Sequence, residues 1–122
     1  MSAHAKTLAC LAIAAAVIGD PLLAADPDCT SPDAWPAGSA FAHLKDAGLV
    51  NNEQLDFKKT TVSRIASEKI GRDLYRQVHL VSFQKNSGER VDAITVNNAS
   101  REECSMSEVE VYVVSIHLGR PN

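Results

Sequence analysis

The strongest constraint on this chain is a run near its C-terminus, Cys104 to Leu118, that couples a cysteine to the most strand-like residues in the sequence. Seven of the ten residues from Val109 to Leu118 are Val, Ile, Leu or Tyr, the β-branched and aromatic types that suit a pleated, partly buried surface. The fold is therefore expected to close on a strand here, with Cys104 held just before it.

The N-terminus decides what Cys104 can pair with. Lys6 gives a short positive start, Thr7 to Gly19 is almost wholly Ala, Leu, Ile and Val, and Leu23-Ala24-Ala25 offers small residues for cleavage. That three-part order is the order of a secretory signal, so residues 1–25 read as a signal peptide and 26–122 as one small mature domain. An apolar run of about 13 residues is far shorter than the roughly 20 of a spanning helix, so no membrane span is expected after cleavage. Neither Cys10 nor Cys29 has the small apolar approach of a lipidation site. Cys10 leaves with the leader. Cys29 and Cys104 remain, in an oxidising periplasmic or extracellular compartment where disulfides persist. Closing a loop of roughly 76 residues is worth about 4 to 5 kcal/mol in the chain-entropy model, comparable with the whole stability of many small domains. A reactive or metal-binding thiol pair is the rival reading, but there is no C-x-x-C spacing and no histidine beside either cysteine.

Charge narrows the partners. The leader takes Lys6 and Asp20 with it, so the net charge stays at −3. A mildly acidic chain has no electrostatic footprint for a nucleic-acid backbone.

Along the mature chain, residues 26–38 carry Pro27, Pro32 and Pro36 among Asp, Ser and Gly, which predicts an irregular arm pinned by Cys29. Trp35, the only tryptophan, is expected to fold back as a plug against the core, as large aromatics usually do; exposed, it would be a binding anchor. Ser39 reads as the N-cap of a short helix to about Ala47, closed by Gly48, with Phe41, Leu44 and Ala47 on one face. A bent strand is predicted from about Asp56 to Ser67, because Leu55, Phe57, Lys59 and Thr61 alternate and Val62 to Ile65 break phase. Gly71-Arg72-Asp73 turns the chain into a strand over Leu74 to Lys85, Asn86 to Glu89 forms a hairpin turn, and Arg90 to about Val96 continues the sheet. A polar loop, Asn97 to Ser107, carries Cys104 into the last strand.

The expected architecture is α+β: one short helix packed on a four-stranded antiparallel meander and stapled by one disulfide. In layout it is similar to cystatin-like folds, although the Gln-x-Val-x-Gly element that cystatins use against proteases is absent; Gln77-Val78 does not supply it. The Cys104–Gly119 stretch resembles the end of small exported Gram-negative proteins of unknown function, a resemblance that implies export and carries no activity.

Two strands have apolar residues on both faces. In the second, Val78 and Leu80 oppose Val81 and Phe83; in the last, Val109, Val111 and Val113 oppose Tyr112, Val114, Ile116 and Leu118. A β-bulge that resets the phase would explain this, and so would a second face covered by a protein partner or by another copy of the chain. On the partner reading, Trp35, Tyr112, Val114 and Ile116 are the candidate binding residues.

Catalytic signatures are missing. No H-E-x-x-H or close histidine pair occurs among His43, His79 and His117; His79 and His117 would meet only on neighbouring strands and otherwise read as surface residues. There is no G-x-S-x-G and no phosphate-cradling glycine loop. No cofactor and no metal are implied. The leading expectation is a non-enzymatic binding protein acting through protein contacts. The alternative is a small-molecule carrier with a ligand held between helix and sheet by Trp35, Phe41, Tyr75 and Phe83 in a cavity of about 300 Å³ or more. The charges also segregate, Lys58, Lys59, Arg64, Lys69, Arg72 and Arg76 in the first two strands against Glu102, Glu103, Glu108 and Glu110 around Cys104.

Overall fold

The computed structural model describes residues 25–114. The predicted leader, Ala25 excepted, lies outside the described residues, as do Ile116, His117 and Leu118. Within them the chain runs as helix α1 (Trp35–Asp46), a 3-10 turn (Phe57–Lys59) and strands β1 (Thr61–Gly71), β2 (Leu74–Gln84), β3 (Arg90–Ala99) and β4 (Glu110–Val114). All four strands join one antiparallel sheet in the order β1-β2-β3-β4. The helix lies on one face, so the expected α+β meander is the observed one. None of the described helices is long and apolar enough to cross a membrane.

The turns follow from local chemistry. Asp73, at φ 49°, occupies the left-handed position of the β1–β2 turn, a conformation that Asp tolerates better than most residues. Between β2 and β3, Gly88 sits at φ 92° and its N–H donates to the Lys85 carbonyl at 2.8 Å, while the Lys85 N–H donates to the Glu89 carbonyl at 2.7 Å.

Helix α1 starts five residues earlier than the sequence predicts, its N-cap at Ala34 instead of Ser39. Ala34 makes no side-chain cap, and Pro36 lies in the first turn. Proline is suited to that position, because its N–H would be unpaired there anyway and its φ is already helical. The arm therefore ends at Ala34, and Trp35 belongs to the helix. At the other end, Gly48 adopts φ 74°. The Leu49 N–H donates to the Leu44 carbonyl and the Gly48 N–H to the Lys45 carbonyl, each at 2.9 Å. These two bonds form a Schellman cap. A Cβ at Gly48 would meet nothing within 4 Å, so Gly48→Ala is expected to cost only the left-handed penalty, about 1 kcal/mol. Urea unfolding checks this, and an unchanged midpoint would remove the cap from the account.

The sheet has two different faces, and the strand register separates them. On the inner face Val81 pairs with Val62 and Ala93, and Ala93 pairs with Val113. Here α1 docks through Ala37, Ala40 and Leu44, and with Val50, Leu55, Val81, Phe83 and Ala93 they form the core. Phe41 lies at the rim of this contact, edge-on to Phe57 with ring centroids 5.1 Å apart and 6.3 Å from Phe83. Ala47, predicted for the same face, is exposed.

The other half of the inner face is covered by the arm. Pro27 and Cys29 are buried, and Cys29 is bonded to Cys104 with the Cα atoms 5.8 Å apart. Two side-chain amides, register partners across β2 and β3, grip the two cysteine segments. Gln77 Nε2 donates to the Pro27 carbonyl at 2.8 Å, and Asn97 Nδ2 donates to the Cys104 carbonyl at 2.8 Å. The disulfide thus closes a clasp whose two halves are already positioned by the sheet, and it belongs to an oxidising, extracytoplasmic compartment.

Candidate functional site

On the outer face, Leu80 pairs with Ile94 and Ile94 with Tyr112, while Val78 pairs with Val96 and Val114 lies opposite Asp92. These are the second apolar rows of the sequence, and no described element covers them. Tyr112 is 56% exposed, while Val78, Leu80, Ile94, Val96 and Val114 are half-buried. A phase-resetting bulge in these strands is the simpler account from sequence, but β2, β3 and β4 pair without a register shift. The shifts fall in β1 instead, between Arg64 and Ala66 and between Lys69 and Gly71. The outer rows are therefore a real apolar face. It is framed by polar pairs, with Arg90 holding Asp92 through two hydrogen bonds of 3.2 and 2.9 Å at one corner. At another, the Tyr112 hydroxyl donates to Glu110 Oε2 at 2.8 Å, and that bond raises the phenol pKa above its ordinary value.

The candidate binding residues do not gather in one place. Tyr112 and Val114 are on the outer face, and Ile116 lies outside the described residues. Trp35 is on the helix side and is 44% exposed, so it does not plug the core. Early helix entry accounts for this: Ala37, Ala40 and Leu44 take the buried stripe and turn Trp35 to its flank. Its indole N–H donates to the Ser107 carbonyl at 3.0 Å, which fixes the ring over a groove of about 620 Å³ between α1 and the loop before β4.

The four aromatics expected to cradle a ligand are also dispersed. Phe41 and Phe83 line a recess of about 300 Å³ with Phe57 and Thr60, but Trp35 faces the other groove. Tyr75 is buried in β2, where its hydroxyl accepts a hydrogen bond from Arg101 at 2.9 Å.

One polar group escaped the sequence reading. His79, expected at the surface, is fully buried on the inner face. It pairs with Thr95, in the row next to the Gln77–Asn97 pair. Neither imidazole nitrogen, nor the Thr95 hydroxyl, makes a hydrogen bond with a described residue. The signal was present in the alternation Tyr75-Gln77-His79-Val81-Phe83, which carries His79 onto the same face as Val81 and Phe83. His117, the other half of the expected strand-to-strand histidine pair, lies outside the described residues.

Burial pushes the His79 pKa below its ordinary value, Arg64 across the strand pair lowers it further, and Asp28 partly opposes them. The native imidazole is therefore neutral while the unfolded one still takes up a proton near pH 6.5. Stability is fully present above that pH and declines as the pH falls through the window below it. Asp28, lowered by its hydrogen bonds from Thr30, has its effect only in the carboxylate range. Thermal midpoints measured from pH 7.5 to 5 should therefore fall, and His79→Leu should flatten the slope. An equal slope in both proteins would assign the effect elsewhere.

Among the described residues, no group of three or more His, Cys, Asp or Glu is placed to hold a metal ion. The predicted charge segregation has a structural basis, since β1, with Arg64 and Lys69, and β4, with Glu110, are opposite edges of the sheet. Comparison with family models, with curated proteins and with solved structures finds no match to this chain.

Proposed function

We propose that this chain is a small exported protein, periplasmic or secreted, that works by contact with another protein and not by catalysis. The observation that carries the reading is the uncovered outer face, where Val78, Leu80, Ile94, Val96, Tyr112 and Val114 form adjoining rows without a layer over them. Contiguous exposed apolar surface of this kind marks interaction sites, and its polar frame matches the apolar-centre, polar-rim anatomy of protein interfaces. The clasped arm and capped helix hold that face on a rigid support, which lowers the ordering cost of association.

A photo-crosslinking residue at position 94 tests the proposal in cells that export the protein, with position 45 on the exposed flank of α1 as control. The expected result is a discrete adduct from position 94 that is missing from position 45. A mass of two chains would identify the occupant as a second copy, and any other protein mass a different partner. No adduct at position 94 beyond the control would end this reading. The carrier alternative keeps one supporting observation, the recess lined by Phe41, Phe57 and Phe83. Saturable binding of a small apolar dye that is lost in Phe57→Ser would favour it.

A further inference from the structure

We infer that the free edge of β4 is a docking site for an extended peptide segment carrying one basic side chain with apolar ones at the adjoining alternate positions. Three independent features converge there. The first is topological: β4 ends the sheet and pairs only with β3 among the described strands, so one side of its backbone presents unpaired N–H and C=O groups. Such an edge accepts an added strand, whose main chain supplies affinity and whose alternate side chains supply specificity.

The second is the shape beside that edge. Helix α1 borders the same edge and leaves two recesses that share His43 and Val109. One is the groove of about 620 Å³ under Trp35; the next, about 380 Å³, is lined by Leu44, Leu49, Val111 and Val113. They abut in the order in which Val109, just before β4, and then Val111 and Val113 within it face the helix side. Residues two apart on a strand are roughly 7 Å apart, so successive inward side chains of an added strand would meet the Trp35 groove first and the apolar recess next.

The third is charge. Asp33, Asp46 and Glu108 line the first groove and Glu110 the second, and neither contains a lysine or arginine. The groove's aromatic wall is a tryptophan held by its own N–H, which leaves the ring face free for a guanidinium, the cation that stacks best on such a surface. An acidic rim over an aromatic wall favours arginine at the first position, and the Leu44–Val111 recess favours valine or leucine after it. This site is on the helix side of the sheet and does not rest on the outer-face reading.

The test uses the mature disulfide-bonded chain, residues 26–122, and two probes, acetyl-Thr-Arg-Thr-Val-Thr-Val-amide and the same sequence reversed. Trp35, the only tryptophan, reports binding by its fluorescence, and hydrogen exchange at 110–114 reports strand addition. One of the two peptides is expected to give a saturable fluorescence change and about ten-fold slower exchange in β4. Exchanging its arginine for glutamate should weaken binding by about ten-fold or more, a comparison made on the unaltered protein. The double variant Asp46→Asn/Glu108→Gln should show a loss of similar size, whereas Lys69→Ala on β1, the opposite edge of the sheet, should leave the titration unchanged. The inference is overturned by the absence of a saturable response to either peptide, by equal binding of the glutamate peptide, or by binding that leaves β4 exchange unaltered.

Discussion

Opening the Cys29–Cys104 disulfide is expected to remove about 4 to 5 kcal/mol of stability. The bond spans a sequence separation of 75 residues, and in the chain-entropy model that span corresponds to about 4.5 kcal/mol at 25 °C. Small domains typically have only 5 to 15 kcal/mol in total, so the reduced protein should be partly unfolded at 37 °C. Because Cys29→Ala and Cys104→Ser delete the same bond, the double variant should lose no more than either single one. Urea midpoints of the four proteins provide the check. The clasp geometry sets the competing outcome. Gln77 and Asn97 hold the Pro27 and Cys104 carbonyls without help from sulfur. If those hydrogen bonds alone fix the arm, reduction will shift the midpoint by less than the equivalent of about 1 kcal/mol, the net worth of one such bond.

Phe83→Ala should rank second, with a loss of about 3 to 5 kcal/mol. Phe83 heads the fully buried side chains at 2% exposure and belongs to the contact between β2 and α1. Its removal deletes a large buried area and leaves a cavity that Phe41 and Phe57 can fill only by abandoning their edge-on packing. Phe57→Ala offers the contrast. Phe57 is mostly a lid, so its loss should cost well under half as much. Chemical denaturation measures both, and near-UV circular dichroism shows whether the aromatic cluster loosens before the sheet does. A Phe83→Ala loss below about 1 kcal/mol would mean that α1 is held chiefly by its alanine stripe.

The fold was legible where chemistry is local and where a count is decisive. With Cys10 assigned to a predicted leader, Cys29 and Cys104 allow one bond, and that bond is present. Gly71-Arg72-Asp73 and Asn86 to Glu89 announced the hairpins that make the meander. Errors arose where one residue type serves two ends. By composition Pro36 belongs to a structure-breaking arm, yet in the first turn it begins a helix. Asn97 and Asn98 looked like loop, yet they extend β3 to Ala99 because Gln77 and Arg76 stand opposite them in the register.

The candidate site was half legible. The doubled apolar rows of β2 and β4 were visible by period two, but which strand held the bulges depends on long-range pairing that no local window contains. The phase break at Val62 to Ile65 was the trace of it. The burial of His79 is hard to read locally, because a single polar residue in an apolar row looks like a surface position unless its neighbours Val81 and Phe83 are known to be buried on the same face.

The register shifts of β1 have a consequence for assembly. A strand kinked at Arg64–Ala66 and again at Lys69–Gly71, and bearing Arg64, Glu68 and Lys69, is a poor template for another backbone, the device by which sheets blunt an edge. At the opposite margin, the described part of β4 pairs with β3 without a register shift. Stacking copies head to tail requires two receptive margins, and this sheet has one. A strand added at β4 is therefore a terminal event, which limits the stoichiometry to a single ligand or a closed pair and keeps a β-rich domain from growing into a fibre.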